Sequence, residues 1–579
     1  MIRTPIIVPR PAASARLPDD LHPLLRRIYA QRGITDARQL RSSVALLHPC
    51  EGLSGIDAAT ALLVQALDQD QRILVIGDFD ADGATSTALA VRALRAFGAR
   101  DVHYLVPNRF EYGYGLTPEI VAAGAKLKPD LLITVDNGVS SIEGVAAARA
   151  HGMRVLITDH HLPGQELPAA DAIVNPNLRS DTFPSKCLAG VGVIFYVMLA
   201  LRQRLRAAGW FAQRGIAEPN LAHYLDLVAL GTVADVAVLD HNNRILVEQG
   251  LKRIRAGRCV PGISWLLRLA GRCPERAVAS DLGFAAGPRL NAAGRLQNMS
   301  LGIECLLSDD ETHAMHLVGQ LEELNRQRRE IEARMHAQAL LAIQAIDSSL
   351  SHDSLPCGLC LFDAAWHQGV IGILASRIKE RFHRPAIAFA DAGEGMLKGS
   401  ARSIPGVHIR DVLDAIAVQN PKLITHFGGH ALAAGLSLPA ENMGPFRAAF
   451  DQAVRAVVTP EQLDGVIYTD GELEEADFTA DVARLLRDAG PWGQGFPEPV
   501  FDGVFEIVHR RMIGERHLRL RVRPKDCVCL LDAVAFNVEA FDYQDDANTV
   551  HLLYRLEENE YQGLIRPQLS ITYMRSVAV

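Results

Sequence analysis

The sequence predicts a multidomain α/β protein: a doubly wound parallel-sheet domain, a long connecting helix, a second α/β domain and a C-terminal β-barrel. Three observations carry this. From about residue 55, the short apolar runs ILVIG, VHYLV, LLITV and VLIT alternate with Ala-rich helical stretches, the pattern of a doubly wound sheet. The segment THAMHLVGQLEELNRQRREIEARMHAQALLAIQAI has no Pro and no Gly after Gly319, and Leu317, Leu321, Leu324, Ile331 and Met335 recur at helical spacing. Near the end, FEIVHR, HLRLRVR, CLLDAVAF, VHLLYRL and LSITYM read as five short strands, enough for a small barrel.

In chain order, residues 1–54 read as a helical lead-in, with LHPLLRRIYAQRG followed by a cap signal at Thr35 and Asp36. Residues 55–310 form the doubly wound domain and 311–346 the long helix, which at 1.5 Å per residue would span about 50 Å and separate two domains. The alternative is a core helix of one larger domain, which its mixed charges disfavour. Residues 347–458 form the second α/β domain; Cys357 and Cys360 have CxxC spacing there, but CGLCLF is apolar and reads as a buried strand rather than a metal site. Residues 459–501 read as a linker region, stiffened by Pro491, Pro497 and Pro499, and residues 502–579 as the barrel.

A chain of 579 residues exceeds one hydrophobic core and divides into roughly three or four domains. With 49% hydrophobic, 22% charged and 6% aromatic residues it is ordinary globular protein. The net charge of −8 excludes a protein that coats duplex nucleic acid through bulk positive charge, so any nucleic-acid contact is local. Nine scattered cysteines suit a reducing compartment, and the N-terminus lacks a sustained apolar stretch, so a cytoplasmic protein without a membrane segment is expected. There is no GxxxxGK[ST] phosphate loop and no HExxH, which removes an ATP-driven motor and a zinc protease. The run GEGMLKG reads as a turn, not a dinucleotide fingerprint.

The sharpest chemical signal is RILVIGDFDADGATSTALAVRAL, a buried strand ending at Gly77 and a helix beginning near Ala84. Asp78, Asp80 and Asp82 lie at alternate positions, and extended backbone would put all three carboxylates on one side. Carboxylates 4 Å apart repel by about 4 kcal/mol at an effective dielectric near 20, so the cluster requires a cation. DFDADG also begins like an EF-hand loop, but Leu89 stands where the twelfth-position Glu belongs and a strand precedes it where a helix should. Two more strands end in polar clusters: LLITVDNG in Asp136 and Asn137, VLITDHH in Asp159, His160 and His161. Singly these are helix caps or surface histidines; together, at successive strand ends, they converge on the crevice where doubly wound folds bind ligands. Asp and His without thiolates suit Mn²⁺ or Mg²⁺, with zinc open as an alternative, and a pair of such ions is the arrangement for phosphodiester hydrolysis.

With GDFDADG, VDNG and the triplet Asp159, His160 and His161, the sequence resembles the DHH phosphoesterase superfamily, and within it most closely the RecJ family of single-strand-specific exonucleases. The resemblance runs from GDFDADG to the terminal strands. It implies metal ligands at Asp78, Asp80, Asp82, Asp136, His160 and Asp235 of ALGTVADV, with Asp136 bridging two Mn²⁺ or Mg²⁺ ions. Asp78 replaces a His of other branches. His161 would donate to the scissile phosphate, and Asn137 and Asp159 would hold ligands from behind. Asp226, in YLDLVALG, competes for the fourth motif but reads as structural.

The second α/β domain resembles the DHHA1 domain through GGHALAAG, with Gly428, Gly429 and His430, beside KGSARSIPG, with Ser400 and Arg402, and WHQGVIG, with His367. Alone, GGHALAAG is a Gly-rich turn. The resemblance implies a nucleic-acid cleft, a pocket for a 5′-terminal phosphate from Arg109, Ser400 and Arg402 with Tyr114 nearby, and backbone contacts from Arg289, Asn291 and Arg295 of GPRLNAAGR. Each of these arginines read singly is a surface charge. The terminal strands resemble an oligonucleotide-binding (OB) barrel, in which Arg519, Arg521 and Arg523 alternate with Leu518, Leu520 and Val522; a solvated strand face and a DNA track remain equal readings. The implied function is 5′-to-3′ hydrolysis of single-stranded DNA in repair and recombination by a monomer, with a single-strand-binding protein and a RecQ-type helicase as partners. A phosphodiesterase for short oligonucleotides or cyclic dinucleotides, and a non-catalytic replication scaffold, are the rival readings.

Overall fold

A computed structural model describes residues 6–107, 115–347, 355–429, 432–514, 517–525, 527–536 and 548–577, without the side chains at 336, 338–347, 461, 464 and 561. The chain divides into two compact units: a first of residues 34–327 and 490–498, and a second of residues 1–33, 328–489 and 499–579. The first described residues form a strand, β1 (Ile6–Pro9), where only helices were expected. The helix Pro23–Ala30 follows in the second unit. Asp36 does cap, accepting from Arg38 N at 2.7 Å, but the element it starts is a single 3₁₀ turn, Ala37–Leu40.

The first unit is built on five parallel strands in the order β3-β2-β4-β5-β6: β2 (Ile73–Gly77), β3 (Val102–Leu105), β4 (Leu131–Val135), β5 (Arg154–Thr158) and β6 (Ala172–Val174). Every residue of β2 and β4 is buried, as expected of strands covered by helices on both faces. The register aligns Gly77 with Val135, Val135 with Thr158, and Thr158 with Val174. The residues that follow these four ends, Asp78, Asp136, Asp159 and Asn175, therefore emerge side by side. The chain turns one way from β2 to β3 and the other way to β4, so the crevice at a reversal of strand order opens between the Asp78 and Asp136 loops.

The long helix spans Glu311–Asp347, 37 residues, and the division between the units falls within it. The second unit then carries a mixed five-stranded sheet, order β10-β11-β9-β8-β7, from β7 (Leu359–Phe362), β8 (Ala386–Gly393), β9 (Met396–Arg402), β10 (His426–Gly429) and β11 (Ala433–Pro439). Cys357 and Cys360 are both buried at β7, and burial raises the Cys360 thiol far above its usual range.

The expected linker region is structured. β12 (Val466–Thr469) pairs in parallel with β1, an alliance between distant segments for which local sequence carries no signal. The helix Ala480–Asp488 lays Val482, Ala483 and Leu486 into apolar packing, and Glu558 takes ion pairs from Arg484 (3.0 Å) and Arg487. Residues 490–498 are anchored in the first unit by aromatic groups: Trp492 stacks on Phe496, Arg244 lies over the Phe496 ring at 4.4 Å, and Leu239 N donates to Gln494 O at 2.7 Å. Prolines removed donors there but did not prevent docking.

The last five strands, β13 (Phe501–Ile513), β14 (His517–Pro524), β15 (Leu531–Phe536), β16 (Thr549–Tyr561) and β17 (Leu564–Ser576), close a barrel in the order β13-β14-β15-β17-β16. β13, β16 and β17 have 13 residues each, longer than the short strands expected. Bulges at Ile507/His509 and Leu553/Tyr554 bend long strands around a small circumference. Among the described residues, no helix is long and apolar enough to cross a membrane.

Candidate metal centre and phosphate-binding surfaces

The three first-motif aspartates do converge, but not by strand alternation. The helix after β2 starts at Ala81, earlier than expected, because Asp80 is its N-cap and accepts from Gly83 N at 3.0 Å. Asp82 thus sits in the first helical turn, buried and aimed at another helix end: its two oxygens accept from Gly190 N (2.6 Å) and Val191 N (2.9 Å) at the start of helix Gly190–Ala207. Gly190 was invisible as a site residue from sequence. A Cβ there would lie 2.6 Å from the Asp136 carboxylate, so only glycine lets these carboxylates share the space.

Asp136 has φ +63°, a left-handed backbone that Asp adopts more readily than most residues. Asn137 donates to Ile76 O (3.1 Å) and Val135 O (2.9 Å), lashing the ends of β2 and β4 together. Asp159 is buried, and its oxygens accept from Val139 N (2.9 Å), His160 N (2.7 Å), His161 N (3.1 Å) and His161 Nδ1 (2.7 Å). Two residues that sequence reasoning missed hold the histidine backbone: Asn175 donates to His161 O at 2.9 Å and Asn177 to His160 O at 2.5 Å. The only sequence signal was Asn-Pro-Asn directly after an apolar run.

Among the described residues, three sets of ligand atoms come within 4.8 Å of one another: Asp78, Asp80 and Asp136; Asp136, His160 and His161; Asp82, His160 and Asp235. Asp136 and His160 are shared between sets, and His160 Nε2 lies 3.1 Å from Asp136 Oδ1, 3.8 Å from Asp235 and 4.0 Å from Asp82. Burial, reinforced by neighbouring carboxylates, raises Asp78 and Asp136 well above the usual range and Asp82 and Asp235 to about 7. Burial also lowers His160, which is therefore neutral near pH 7 with a lone pair to offer. Asp78 Oδ1, Asp136 Oδ1 and His160 Nε2 are buried without a hydrogen-bond partner. Buried polar atoms left without partners, among carboxyls that burial and mutual repulsion keep from ionising, fit divalent cations.

His161 differs from its neighbour. Burial works against its charge, but the hydrogen bond and charge of Asp159 outweigh burial and raise it to about 9. Asp159, likewise opposed by burial, is held at about 2 by His161. The pair is ionised near neutrality. A doubly protonated imidazole donates hydrogen bonds and does not ligate a metal. His160 is thus suited to coordination and His161 to a phosphate oxygen.

Asp226 lies elsewhere: wholly buried, it accepts from Leu227 N (2.9 Å) and Val260 N (2.7 Å). Asn291 and Arg289 are also occupied. Asn291 accepts from Ala81 N at 2.7 Å, fastening the metal loop's helix. Arg289 donates to Ala285 O (2.7 Å) and pairs with Glu322 (2.5 Å). Arg295 stands half-buried on the same helix, Gly287–Leu296. Arg109, Tyr114 and His430 lie outside the described residues.

In the second unit, Lys398, Ser400 and Arg402 share one face of β9 while Leu397, Gly399 and Ala401 are turned into contact with the rest of the unit. Arg402 Nη1 donates to Ser400 Oγ (3.1 Å) and Ala401 O (2.8 Å), and burial lowers its pKa. Across the sheet Ser400 pairs with Gly435 and Gly435 with Gly428. A Cβ on either glycine would meet nothing within 4 Å, so this row is open to a close approach. Gly429 is a different case: its φ of +149° and a clash with Ala433 O make it a backbone requirement. His367 is exposed and accepts from Gly369 N at 3.0 Å, ahead of the helix Ile371–Phe382, whose Gly372 adjoins Arg402. On the barrel, Arg519, Arg521 and Arg523 face outward at 52%, 55% and 43% side-chain exposure, opposite Asp532 and Glu506. Their charge is partly balanced locally.

Comparison with known proteins accords with this arrangement. Residues 72–232 match the DHH family, N-terminal domain, residues 356–456 the DHHA1 domain, and residues 469–573 the RecJ OB domain. The single-stranded-DNA-specific exonuclease RecJ of Dickeya dadantii is 55% identical over 98% of this chain and 98% of its own, and that of Escherichia coli 54% identical over 95% of each. The crystal structure of RecJ in complex with Mn²⁺ from Thermus thermophilus superposes with a TM-score of 0.77 at 32% identity, covering 96% of this chain and 76% of that one; its Mg²⁺ complex gives 0.72. On strand order, motif spacing and full-length similarity, the chain belongs to the RecJ family of the DHH phosphoesterases.

Proposed function

We propose that this chain is a metal-dependent exonuclease that hydrolyses single-stranded DNA from the 5′ end and releases 5′-mononucleotides in repair and recombination. The observation that carries the reading is the carboxylate-rich cluster of Asp78, Asp80, Asp82, Asp136, His160 and Asp235 at the strand ends, in a chain 55% identical to a single-stranded-DNA-specific exonuclease. Two Mn²⁺ or Mg²⁺ ions held there would supply Lewis-acid polarisation of a phosphate and activation of water. Asp136 reaches both sides of the cluster, His160 offers its neutral nitrogen, and His161, charged against Asp159, donates to a phosphate oxygen. The Ser400 and Arg402 face is the surface suited to a terminal phosphate. Single-strand-binding protein and a RecQ-type helicase are the proposed partners, a cytoplasmic monomer the proposed state.

End-labelled single-stranded DNA, duplex DNA and dinucleotides, each with Mn²⁺, Mg²⁺ or chelator, test the whole reading. Digestion of the single strand only, dependent on metal and yielding mononucleotides, is expected; preference for dinucleotides would favour the short-oligonucleotide alternative, and inactivity the scaffold.

Two variants test the assignments. Asp235→Asn removes a cluster carboxylate and is expected to lower kcat by at least about 100-fold with little change in melting temperature. Asp226→Asn instead weakens two buried backbone hydrogen bonds and should lower stability by about 1–3 kcal/mol while the folded enzyme keeps most of its kcat. The reverse pattern would exchange their roles. Arg402→Ala should shrink the rate advantage of 5′-phosphorylated over 5′-hydroxyl DNA, because a charge-assisted phosphate contact contributes roughly 1.5–3 kcal/mol. An undiminished advantage would remove Arg402 from the terminal-phosphate pocket.

A further inference from the structure

Phe284 is 84% exposed, the most exposed aromatic side chain among the described residues. An isolated exposed Phe carries no meaning by itself, but this one occupies an unusual element. It is the middle residue of a π-helical turn, Leu282–Ala286, inserted directly before the helix Gly287–Leu296. Such turns are rare, cost regular hydrogen bonding and re-aim side chains, so they concentrate at working sites. Leu282, Ala285 and Ala286 are buried on either side of it, which leaves Phe284 alone turned outward.

The turn is also held in place. Arg289 donates to Ala285 O at 2.7 Å while Glu322 fixes its guanidinium at 2.5 Å. Arg289 thereby braces the backbone beside Phe284. The turn packs against the helix Leu225–Ala234, whose C-cap is Asp235: a Cβ on Gly283 would lie 3.2 Å from Val233, and one on Gly287, just past the turn, 3.1 Å from Ala234. Asp235 is the next residue, and Val236 after it is held at φ +59° and 64% exposed. Downstream, Asn291 ties the helix Gly287–Leu296 to Ala81 N, and Gly294 lets it press against Phe79 O in the DFDADG loop. The aromatic ring therefore stands on a rigid support fastened at both ends to segments that bear cluster carboxylates.

We infer that Phe284 is a stacking platform for a nucleobase of the single strand, next to the nucleotide whose phosphate is cut. This rests on the exonuclease reading above. A planar ring on a fixed support takes any base, since every base has a π-face, and so gives single-strand selectivity without sequence preference; in a duplex the faces are already stacked. It also gives the acidic chain an apolar contact with DNA, beyond the reach of salt.

The test uses the full chain bearing Asp136→Asn, which leaves the proposed cutting cluster impaired, and single-stranded oligonucleotides in which one abasic site is moved along the strand. With Phe284 present, one abasic position should weaken binding by about 5- to 150-fold, the span of one aromatic–base stack. Phe284→Ala should bind intact DNA more weakly by a similar factor and be insensitive to an abasic site at that position only, while Phe284→Trp restores both affinity and sensitivity. Phe284→Leu, apolar but unable to stack, should behave as Phe284→Ala. If Phe284→Ala kept the abasic profile, or if Phe284→Leu restored it, the platform would be overturned. Failure of the unsubstituted chain to digest single-stranded DNA would instead overturn the exonuclease reading.

Discussion

Asp136→Asn is expected to reduce cleavage of single-stranded DNA by at least about 10³-fold, a loss of about 4 kcal/mol of transition-state stabilisation, while the protein stays folded. The substitution suits the position. Asn accepts the left-handed backbone that Asp136 adopts at φ +63°, and it keeps the volume beside Gly190, so the strand end need not move. What it removes is charge at the point where two of the ligand sets meet. Because that carboxyl is already reluctant to ionise, pressed by burial and by Asp82, Asp80 and Asp78, its neutral replacement should leave the metal-free protein equally or more stable. Lost activity with an unchanged or raised melting temperature in chelator identifies a ligand. Full activity at saturating Mn²⁺ would sink the two-ion reading, and loss of the fold would mean that Asp136 is structural.

How much of this was legible in the sequence depends on the range of the interaction. Buried parallel strands announce themselves as apolar runs, and because adjacent strands end in register, the polar residues after ILVIG, LLITV and VLIT converge in space as expected. The local geometry of DFDADG was misread: alternation suggested extended backbone, whereas Asp80 caps a helix from Ala81 and Asp82 reaches the cluster from inside that helix. Cap and strand use the same residue types, so the pattern alone does not separate them. Interactions between distant segments left no trace at all. Nothing in IIVP announces its pairing with VIYT, nothing in GPRLNAAGR announces that Glu322 claims Arg289, and nothing in AGVG announces that Gly190 stands against Asp136. Residues 490–498 were misjudged for a further reason: prolines and glycines mark irregular backbone, but Trp492 and Phe496 decide that it docks.

The second large effect concerns the metal-free protein and pH. Asp82 and Asp235 have pKa values of about 7 in the folded chain, against about 3.9 when unfolded. Between those values the folded state holds protons that the unfolded state has released, so stability is greatest on the acid side and falls as pH rises toward 7. A shift of about 3 units corresponds to about 4 kcal/mol for one fully buried carboxyl. Asp235 contributes less, since 27% of its side chain remains exposed, and the repulsions within the cluster are shared rather than additive. The charged pair beneath the cluster does not mask this window. Asp159, held at about 2, loses its contribution only below about 3.9, and His161, raised to about 9, loses its own only above about 6.5. His160, lowered by burial, works the other way below about 6.5, but it is one group against several raised carboxyls, so in chelator the melting temperature should decline from pH 5 to pH 6.5, and Asp136→Asn should flatten the decline. Mn²⁺ binds the ionised carboxylates of the folded state alone, so the increment it adds should grow over the same interval and be larger at pH 8 than at pH 5. A chelated protein whose melting temperature is flat or rising from pH 5 to pH 6.5, or a Mn²⁺ increment independent of pH, would mean that these carboxylates are not crowded in the absence of a cation, and the strongest physical reason for placing metal among them would be gone.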